Sequence, residues 1–163
     1  MEKAIFAAGC FWGVQYYFDQ VPGVSASQVG YSGGHTENPT YEEVCSHTTG
    51  HAEAVEIHFD SKQVSYKVLC QHFFRLHNPT QLNRQGPDIG DSYRSAIFYV
   101  SEDQKTIARA ARDSAQADWD EPVVTSIEPA GTFYEAEDYH QKYVEKTGRG
   151  MCHVPYQPLA TDN

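Results

Sequence analysis

Residues 52–59 alternate regularly between apolar and polar side chains. Val55, Ile57 and Phe59 share one face of this segment, and polar side chains lie between them. Successive side chains of a β-strand point to opposite faces, so the pattern predicts a strand with one buried and one polar face. The fold must therefore contain a sheet whose apolar face is covered by a second layer.

The rest of the chain supplies that layer, because segments with helical spacing of apolar residues come between further short apolar runs. The predicted order is β-α-β-loop-β-α-loop-β-α-β-α, and its early part fits a split βαβ arrangement. We therefore predict the α+β class, as a two-layer α/β sandwich with a ferredoxin-like core. Strands are predicted over 4–8, 24–31, 52–59, 95–100 and 123–127, and helices after Cys10, after Ser65, after Ser101 and over 135–146.

Two polar stretches and the C-terminal end have no periodic pattern. Residues 32–50 and 80–93 are predicted to be loops, and long loops in a compact domain are often functional. Residues 147–163 are predicted to form an irregular, mobile tail, because the chain there is rich in glycine and proline. With 163 residues in all, residues 1–163 are expected to form one domain.

The formal net charge of −10 limits the partners of this chain. Phosphate backbones and anionic membrane surfaces repel an acidic protein, so we expect neither nucleic acid nor a membrane as a partner. No apolar run approaches the length that spans a bilayer, and the first residues show no secretory signal. We therefore expect a cytoplasmic protein, and we expect it to be a monomer.

Cys10 lies where the first predicted strand turns into the first predicted helix. Unpaired backbone N–H groups and the positive end of the helix dipole favour the thiolate at such a position, and the thiolate is the reactive form of cysteine. The position therefore indicates a nucleophile. The alternative is a buried structural cysteine that packs against Phe11 and Trp12, and the residues alone leave both interpretations open.

Glu53 is the second candidate, because strand parity places it on the same face as Val55, Ile57 and Phe59. A carboxyl group buried on an apolar face has a raised pKa, stays protonated near neutral pH and can donate a proton. The alternative is that Glu53 lies at the end of the strand and reaches solvent.

Further blocks of residues accompany these two candidates, in order from Gly9 to Gln141. The blocks are Gly9-Cys10-Phe11-Trp12-Gly13, Gly30-Tyr31-Ser32-Gly33-Gly34, Asn38-Pro39-Thr40-Tyr41, Thr49-Gly50-His51-Ala52-Glu53-Ala54-Val55, Arg84-Gln85-Gly86-Pro87-Asp88-Ile89-Gly90, Tyr93-Arg94-Ser95-Ala96-Ile97 and Phe133-Tyr134-Glu135-Ala136-Glu137-Asp138-Tyr139-His140-Gln141. Together they resemble the methionine sulfoxide reductase A family over nearly the whole chain. The last block departs from the family at Glu135, where a proline is usual, and this affects only a local turn.

The resemblance implies a reaction and a role for each matching residue. Cys10 would attack the sulfur of S-epimer methionine sulfoxide, free or in proteins, while Glu53 protonates the sulfoxide oxygen. Methionine then leaves, and Cys10 becomes a sulfenic acid. The other implied roles are hydroxyl donors to that oxygen for Tyr41 and Tyr93, walls around the substrate methyl group for Phe11 and Trp12, and recognition of the substrate backbone amide for Asp88. Without the resemblance, Tyr41, Tyr93 and Asp88 would be read as ordinary loop residues.

A sulfenic acid needs a second thiol to resolve it. Members of the family commonly carry a resolving cysteine in the region of Cys152, so the resemblance implies a Cys10–Cys152 disulfide that thioredoxin or another dithiol reduces. The alternative for Cys152 is an idle thiol in an exposed tail. The remaining two of the four cysteines, Cys45 and Cys70, are predicted to be structural.

The residues also admit two other functions. Cys45, His47 and His51 offer three zinc ligands within one loop, although no standard spacing supplies a fourth. Alternatively, Cys10 with His51 or His140 and an aspartate could form the active site of a cysteine hydrolase. The reductase hypothesis predicts no bound metal or cofactor and the consumption of a dithiol in each turnover, whereas a hydrolase needs no reductant.

Overall fold

The computed structural model of this protein describes residues 1–149 and 156–159. Short 3-10 turns at Asp91–Tyr93, Gln116–Asp118 and Asp138–His140 supplement its helices and strands. In chain order these are β1 (Glu2–Ala8), α1 (Phe11–Asp19), β2 (Val24–Ser32), α2 (Tyr41–Cys45), β3 (Ala52–Phe59), α3 (Tyr66–Leu76), β4 (Arg84–Gln85), β5 (Asp88–Ile89), β6 (Ser95–Tyr99), α4 (Glu102–Ala115), β7 (Ser126–Pro129), β8 (Tyr134–Glu135) and α5 (Tyr143–Thr147).

The main sheet has the strand order β7-β6-β1-β3-β2-β8. β6 and β7 are parallel, and the other neighbouring pairs are antiparallel. The alternating segment is confirmed as β3, which lies between β1 and β2 and pairs with both. The α+β class is confirmed by this arrangement, while the finer ferredoxin-like assignment stays a prediction.

The face of β3 that carries Val55, Ile57 and Phe59 is the face covered by helices, and each of these side chains is fully buried. Aromatic rings connect the sheet to two of the covering helices. Phe6 of β1 stacks on Phe18 of α1 at 5.2 Å and on Phe73 of α3 at 5.3 Å between ring centroids. Ring pairs at such distances add dispersion and electrostatic attraction to the burial of apolar area.

The opposite face of the sheet carries four alanines together with Ile5 and Phe98. Ala7, Ala52, Ala54 and Ala96 are fully buried there, although no helix packs against them in the described chain. Ala130 and Phe133, from the loop between β7 and β8, cover this cluster instead. The two faces therefore differ in what covers them.

The predicted loop over residues 32–50 contains a short helix, α2, that the periodicity did not indicate. Thr40 and Glu43 form a capping box at its start, with the Thr40 hydroxyl accepting from the Glu43 N–H at 3.2 Å and Glu43 accepting from the Thr40 N–H at 2.9 Å. That pair was visible in the sequence as Thr-x-x-Glu. A helix of one and a half turns is too short to show an apolar period, so only the capping residues could have predicted α2.

The predicted loop over residues 80–93 contains the hairpin of β4 and β5, in which Arg84 pairs with Ile89 and Gln85 with Asp88. The Gln85 side chain also donates to the Asn78 carbonyl and accepts from the Asn78 N–H, each at 2.9 Å. These bonds fix the hairpin against the end of α3, so the side chains it carries have defined positions.

The predicted helix over residues 135–146 is wrong. Glu135 belongs to β8 and pairs with Gly30 of β2, and only residues 143–147 form a helix. Lys142 interrupts the segment with a left-handed backbone (φ 57°), because its N–H donates to the Gln15 side chain at 2.8 Å and its ammonium group binds Asp19 at 2.6 Å. Tertiary hydrogen bonds thus override the helical spacing of the sequence.

The described part of the tail, residues 156–159, packs against the helical layer. The Tyr156 ring lies 5.4 Å from Tyr17 of α1 and 5.6 Å from His72 of α3, centroid to centroid. Arg75 donates to Gln157 twice, at 2.7 Å to its carbonyl oxygen and 2.6 Å to its side chain. Leu159, the last residue that the structure describes, lines a groove of about 1020 Å³ between α3 and α4. None of the described helices has the length and apolarity to cross a bilayer.

We expect Gln141→Ala to lower the free energy of unfolding by about 2 kcal/mol, since buried hydrogen bonds contribute roughly 1 kcal/mol each. The Gln141 amide accepts from the Val29 N–H at 3.0 Å and donates to the Val29 carbonyl at 2.9 Å, and so attaches the late segment to β2. Urea unfolding would measure the loss. Gln20→Ala, which removes an exposed bond to Tyr16, is the control, and equal losses in the two variants would contradict the prediction.

Candidate active site

The turn between β1 and α1 sets the position of Cys10. Gly9 adopts φ 96°, and a Cβ atom added there would lie 2.9 Å from Cβ of Gln85 in the β4–β5 hairpin. Cys10 is the N-cap of α1, with extended backbone angles, and is half-buried. The thiol is thus at the N-terminal end of a nine-residue helix, as the sequence predicted, where unpaired N–H groups and the helix dipole favour a thiolate.

Glu53 of β3 lies directly beside this turn. Its Oε1 accepts a hydrogen bond of 3.1 Å from the N–H of Phe11, the residue after Cys10. The side chain is only 1% exposed, so the interpretation in which it reaches solvent is wrong. Burial raises the pKa of Glu53 to about 8, outweighing the hydrogen bond from Phe11, and the nearby charge of Asp88 raises it further.

A carboxyl group with that pKa carries its proton at neutral pH. Oε1 of Glu53 is engaged by the Phe11 N–H, and Oε2 is buried without a hydrogen-bond partner in the described chain. Glu53 therefore holds a proton beside the turn that carries Cys10, and its Oε2 is free of other hydrogen bonds in the described chain. A protonated carboxyl is a hydrogen-bond donor as well as an acid.

Tyr41 and Tyr93 come from different loops and meet at Cys45. Tyr41 is the first residue of α2 and Cys45 is the last, so the two lie one turn apart on one helix. Both tyrosines interact electrostatically with the Cys45 thiol. Burial raises the pKa of both phenols, and the charge of Glu53 acts in the same direction on each. Both hydroxyls thus remain protonated donors within electrostatic reach of the acid.

Aromatic rings from the two ends of the chain form the wall of the site. Trp12 stacks on Tyr143 of α5 at 3.9 Å and donates from its indole N–H to Nδ1 of His140 at 2.8 Å. His140, fully buried, lies 5.2 Å from the Phe11 ring and 4.3 Å from the Tyr41 ring. Such a surface suits an apolar group such as a thioether methyl.

Asp88 lies in β5 and is half-buried, on the hairpin that Gln85 attaches to α3. Its charge raises the pKa values of Glu53 and Tyr93, which places it at the edge of the same site. The structure therefore brings together every predicted site residue that it describes. Cys152 lies outside the described residues.

The zinc hypothesis and the hydrolase hypothesis conflict with the histidine hydrogen bonds. Nδ1 of His51 accepts from the Gly34 N–H at 3.0 Å and Nε2 lies 2.8 Å from the Thr36 carbonyl, so neither nitrogen is available for a metal or a thiol. Nδ1 of His140 already accepts from Trp12, which leaves Nε2 as the protonated nitrogen. Neither histidine can therefore act as a base for Cys10 without breaking these bonds.

The sequence reasoning missed several residues of this site. Glu137 and His140 belong to the last of the matching blocks, residues 133–141, but nothing in their local spacing indicated their contacts with α1 and α2. That Cys45 is structural stays a prediction: its thiol interacts with Tyr41 and Tyr93, and burial raises its pKa, which disfavours the reactive thiolate. Cys70, by contrast, is fully buried with a pKa raised to about 12 by burial, as a structural cysteine should be.

Comparison with known proteins gives concordant results. A family model described as "Peptide methionine sulfoxide reductase" matches residues 2–163. The chain is 54% identical to the peptide methionine sulfoxide reductase MsrA of Methanothermobacter thermautotrophicus, over 94% of this chain and 92% of that protein. It is 56% identical to the protein of that name from Geobacter sulfurreducens, over 93% and 95%. Its structure is similar to that of reduced Mxr1 from Saccharomyces cerevisiae, with a TM-score of 0.90 and 31% identity over 96% and 92% of the two chains.

The raised pKa of Glu53 predicts a stability effect that depends on pH. Between the usual glutamate pKa and about 8, the folded chain keeps a proton that the unfolded chain releases, so wild-type stability falls as the pH rises through this window. Glu53→Gln removes the titration and keeps a partner for the Phe11 N–H. We expect its free energy of unfolding to exceed that of wild type by about 3 kcal/mol at pH 8 and by much less at pH 5.

Urea unfolding at both pH values would measure this difference. Glu2→Gln, which alters an exposed carboxyl at the start of β1, is the matched control and should show no such widening. A difference for Glu53→Gln that stays constant with pH would contradict the protonated state of Glu53.

Proposed function

The chain belongs to the peptide methionine sulfoxide reductase family and reduces methionine sulfoxide in a thiol-dependent reaction, and on that premise we propose that Cys10 is its nucleophile and Glu53 its acid. The observation that carries the proposal is the Glu53 carboxyl. It is buried, protonated at neutral pH, and hydrogen-bonded to the amide of the residue after Cys10. A sulfoxide oxygen is a poor leaving group until it is protonated, so nucleophile and acid are needed side by side.

The first step transfers the sulfoxide oxygen to the enzyme. The Cys10 thiolate attacks the sulfoxide sulfur, and Glu53 gives its proton to the oxygen. The oxygen ends on Cys10 as a sulfenic acid, and the substrate leaves as a thioether. The substrate sulfur gains two electrons and the Cys10 sulfur loses two, so this step needs no external reductant.

The other site residues bind and orient the substrate in this proposal. Tyr41 and Tyr93 donate hydrogen bonds to the sulfoxide oxygen, and this role is supported by their protonated, converging hydroxyls. Phe11 and Trp12 hold the methyl group, and Asp88 accepts from a backbone amide of the substrate. This last contact suits methionine sulfoxide within a polypeptide as well as the free amino acid. We propose the S epimer as the substrate, in keeping with the family.

The second step resolves the sulfenic acid. The Cys152 thiol attacks Cys10, forming the Cys10–Cys152 disulfide and releasing water. A dithiol then reduces the disulfide and restores both thiols. The overall reaction therefore converts one sulfoxide and one dithiol into one thioether, one disulfide and one water.

We propose thioredoxin as that dithiol. Mxr1 of Saccharomyces cerevisiae has been solved in a complex with Trx2, and we extend this pairing to the present chain. A cycle that passes through a disulfide requires a compartment that supplies reducing equivalents, which is consistent with the cytoplasm. We further propose that the protein acts as a monomer without membrane or nucleic-acid partners, consistent with its charge of −10.

A single-turnover reaction tests the cysteine roles. Reduced wild-type protein should yield stoichiometric methionine from the S epimer alone and lose two thiols per chain, because Cys10 and Cys152 end in a disulfide. Cys10→Ser should yield none. Cys152→Ser should yield one round of methionine without thioredoxin-driven cycling. Full thioredoxin-driven cycling in Cys152→Ser would contradict the resolving role of Cys152 and assign that role to Cys45 or Cys70. Failure of the wild-type protein to form methionine would contradict the proposed role of Cys10 as nucleophile.

The rate of that single turnover should depend on pH through Glu53. We expect the rate to fall above pH 8, because the pKa of Glu53 is about 8 and the acid is lost above it. Glu53→Gln should be slow at every pH and should lack this falling limb. A stopped reaction that quantifies methionine from pH 6 to 10 would measure both profiles. A wild-type rate that keeps rising to pH 10 would show that another group supplies the proton.

A further inference from the structure

We propose that Glu137 is a positioning residue for Tyr41, holding the start of α2 against the sheet so that the Tyr41 hydroxyl meets the sulfoxide oxygen. This inference rests on the proposed function, because it takes Tyr41 as a donor to that oxygen. Glu137 itself is not proposed to touch the substrate. It acts through the backbone of the residue that does.

The Glu137 carboxylate bridges a strand and a helix. Its Oε2 accepts from the Tyr41 N–H at 3.1 Å, and its Oε1 accepts from the Tyr31 hydroxyl at 2.9 Å. Tyr31 belongs to β2, is fully buried, and pairs directly with Glu53 across the sheet. One carboxylate therefore connects the backbone of Tyr41 to a side chain that stands beside the proposed acid.

Glu137 is itself well fixed, as a tether must be. Glu137 comes two residues after Glu135, the last residue of β8, which pairs with Gly30. The intervening Ala136 donates its N–H to the Val29 carbonyl at 2.9 Å. Two residues of β2 thus hold the chain just before Glu137. The tether begins on the main sheet and ends on α2.

α2 needs such a tether because it has only five residues. A helix of that length is not stable alone and takes its position from tertiary contacts. The capping box of Thr40 and Glu43 sets its conformation but is local to the loop. Val44 is fully buried and fixes the C-terminal half of the helix. Glu137 fixes the N-terminal half, and Tyr41 is its first residue.

The charge of Glu137 suits this position. Burial alone would raise its pKa, but hydrogen bonds from its own N–H, from the Tyr41 N–H and from Tyr31 outweigh burial and lower the pKa. An ionised carboxylate can accept both bonds at once and interacts favourably with the positive end of a helix. A glutamine in its place has one oxygen instead of two, and its NH2 group cannot accept, so the two bonds cannot both persist as they are: at least one must be lost or reverse its direction.

The test is a double-mutant cycle on the single-turnover formation of methionine, with Glu137→Gln and Tyr41→Phe alone and combined. We expect Glu137→Gln to slow the step about tenfold, because a small misplacement of a reacting group costs one to two orders of magnitude. The half-saturating substrate concentration should stay within about twofold, since Tyr41 acts on the developing charge. In the Tyr41→Phe background, Glu137→Gln should cause no further loss.

Glu42→Gln is the matched control. Glu42 is exposed in the first turn of the same helix, so its substitution removes the same charge from the same helix end without removing the tether. Its rate should stay within about twofold of wild type. Thermal unfolding would verify that each variant is folded. If Glu137→Gln is not folded, Tyr31→Phe replaces it in the cycle, because it removes the bond between the same carboxylate and the sheet.

The outcomes separate this inference from the function on which it rests. Equal losses from Glu137→Gln with and without the Tyr41 hydroxyl would overturn the positioning role. A loss in Glu42→Gln as large as in Glu137→Gln would also overturn it, because charge alone would then explain the effect. No methionine from the wild-type protein would instead overturn the proposed function.

Discussion

The hydrogen bond from the Phe11 N–H to Glu53 is the contact on which the rest of the site depends. It joins the start of α1 to the centre of the sheet, and it places the proposed acid, Glu53, beside the proposed nucleophile, Cys10. The bond is possible because β3 is flanked by β1 and β2, so that a side chain near its start faces the N-terminus of α1. Glu53 thereby satisfies one N–H of the first turn of α1, where Cys10 makes no side-chain capping bond. The same hydrogen bond therefore holds α1 against the sheet and positions the carboxyl group of Glu53.

The parts of the structure that follow from local patterns were predictable from the sequence. The parity of β3 predicted the burial of Glu53. A helix was predicted after Ser65, and the Ser65 hydroxyl caps α3 by accepting from the Val68 N–H. The errors lie where distant residues decide the backbone. Residues 135–146 have helical spacing, but Lys142 binds Gln15 and Asp19 of α1 and breaks the helix. No pattern within a short window contains that information.

The candidate site shows the same contrast between residues that a local pattern predicts and residues that only the fold brings together. Cys10 and Glu53 could be found from their places on one helix and one strand. The Trp12–His140 bond, by contrast, joins residues 128 positions apart, and the Tyr41–Glu137 bond joins residues 96 apart. The late block was recognisable as a family feature, yet its side chains gained roles only once the fold brought them to α1 and α2. The sequence alone thus predicts the proposed reacting residues, Cys10 and Glu53, better than the residues that hold the site in place.

The aromatic contacts on either side of Cys152 bear on the polymer physics of the proposed disulfide. Tyr143 stacks on Trp12 and Tyr156 packs on Tyr17, and these two points on α1 are only about 7.5 Å apart along the helix axis. Tyr143 and Tyr156 are therefore both held on α1 before any sulfur reacts. A bond from Cys152 to Cys10 subdivides the segment between these two points rather than closing a long loop, and loop entropy grows only with the logarithm of length. Part of the entropic cost of forming the proposed disulfide is thus met during folding, in the reduced protein.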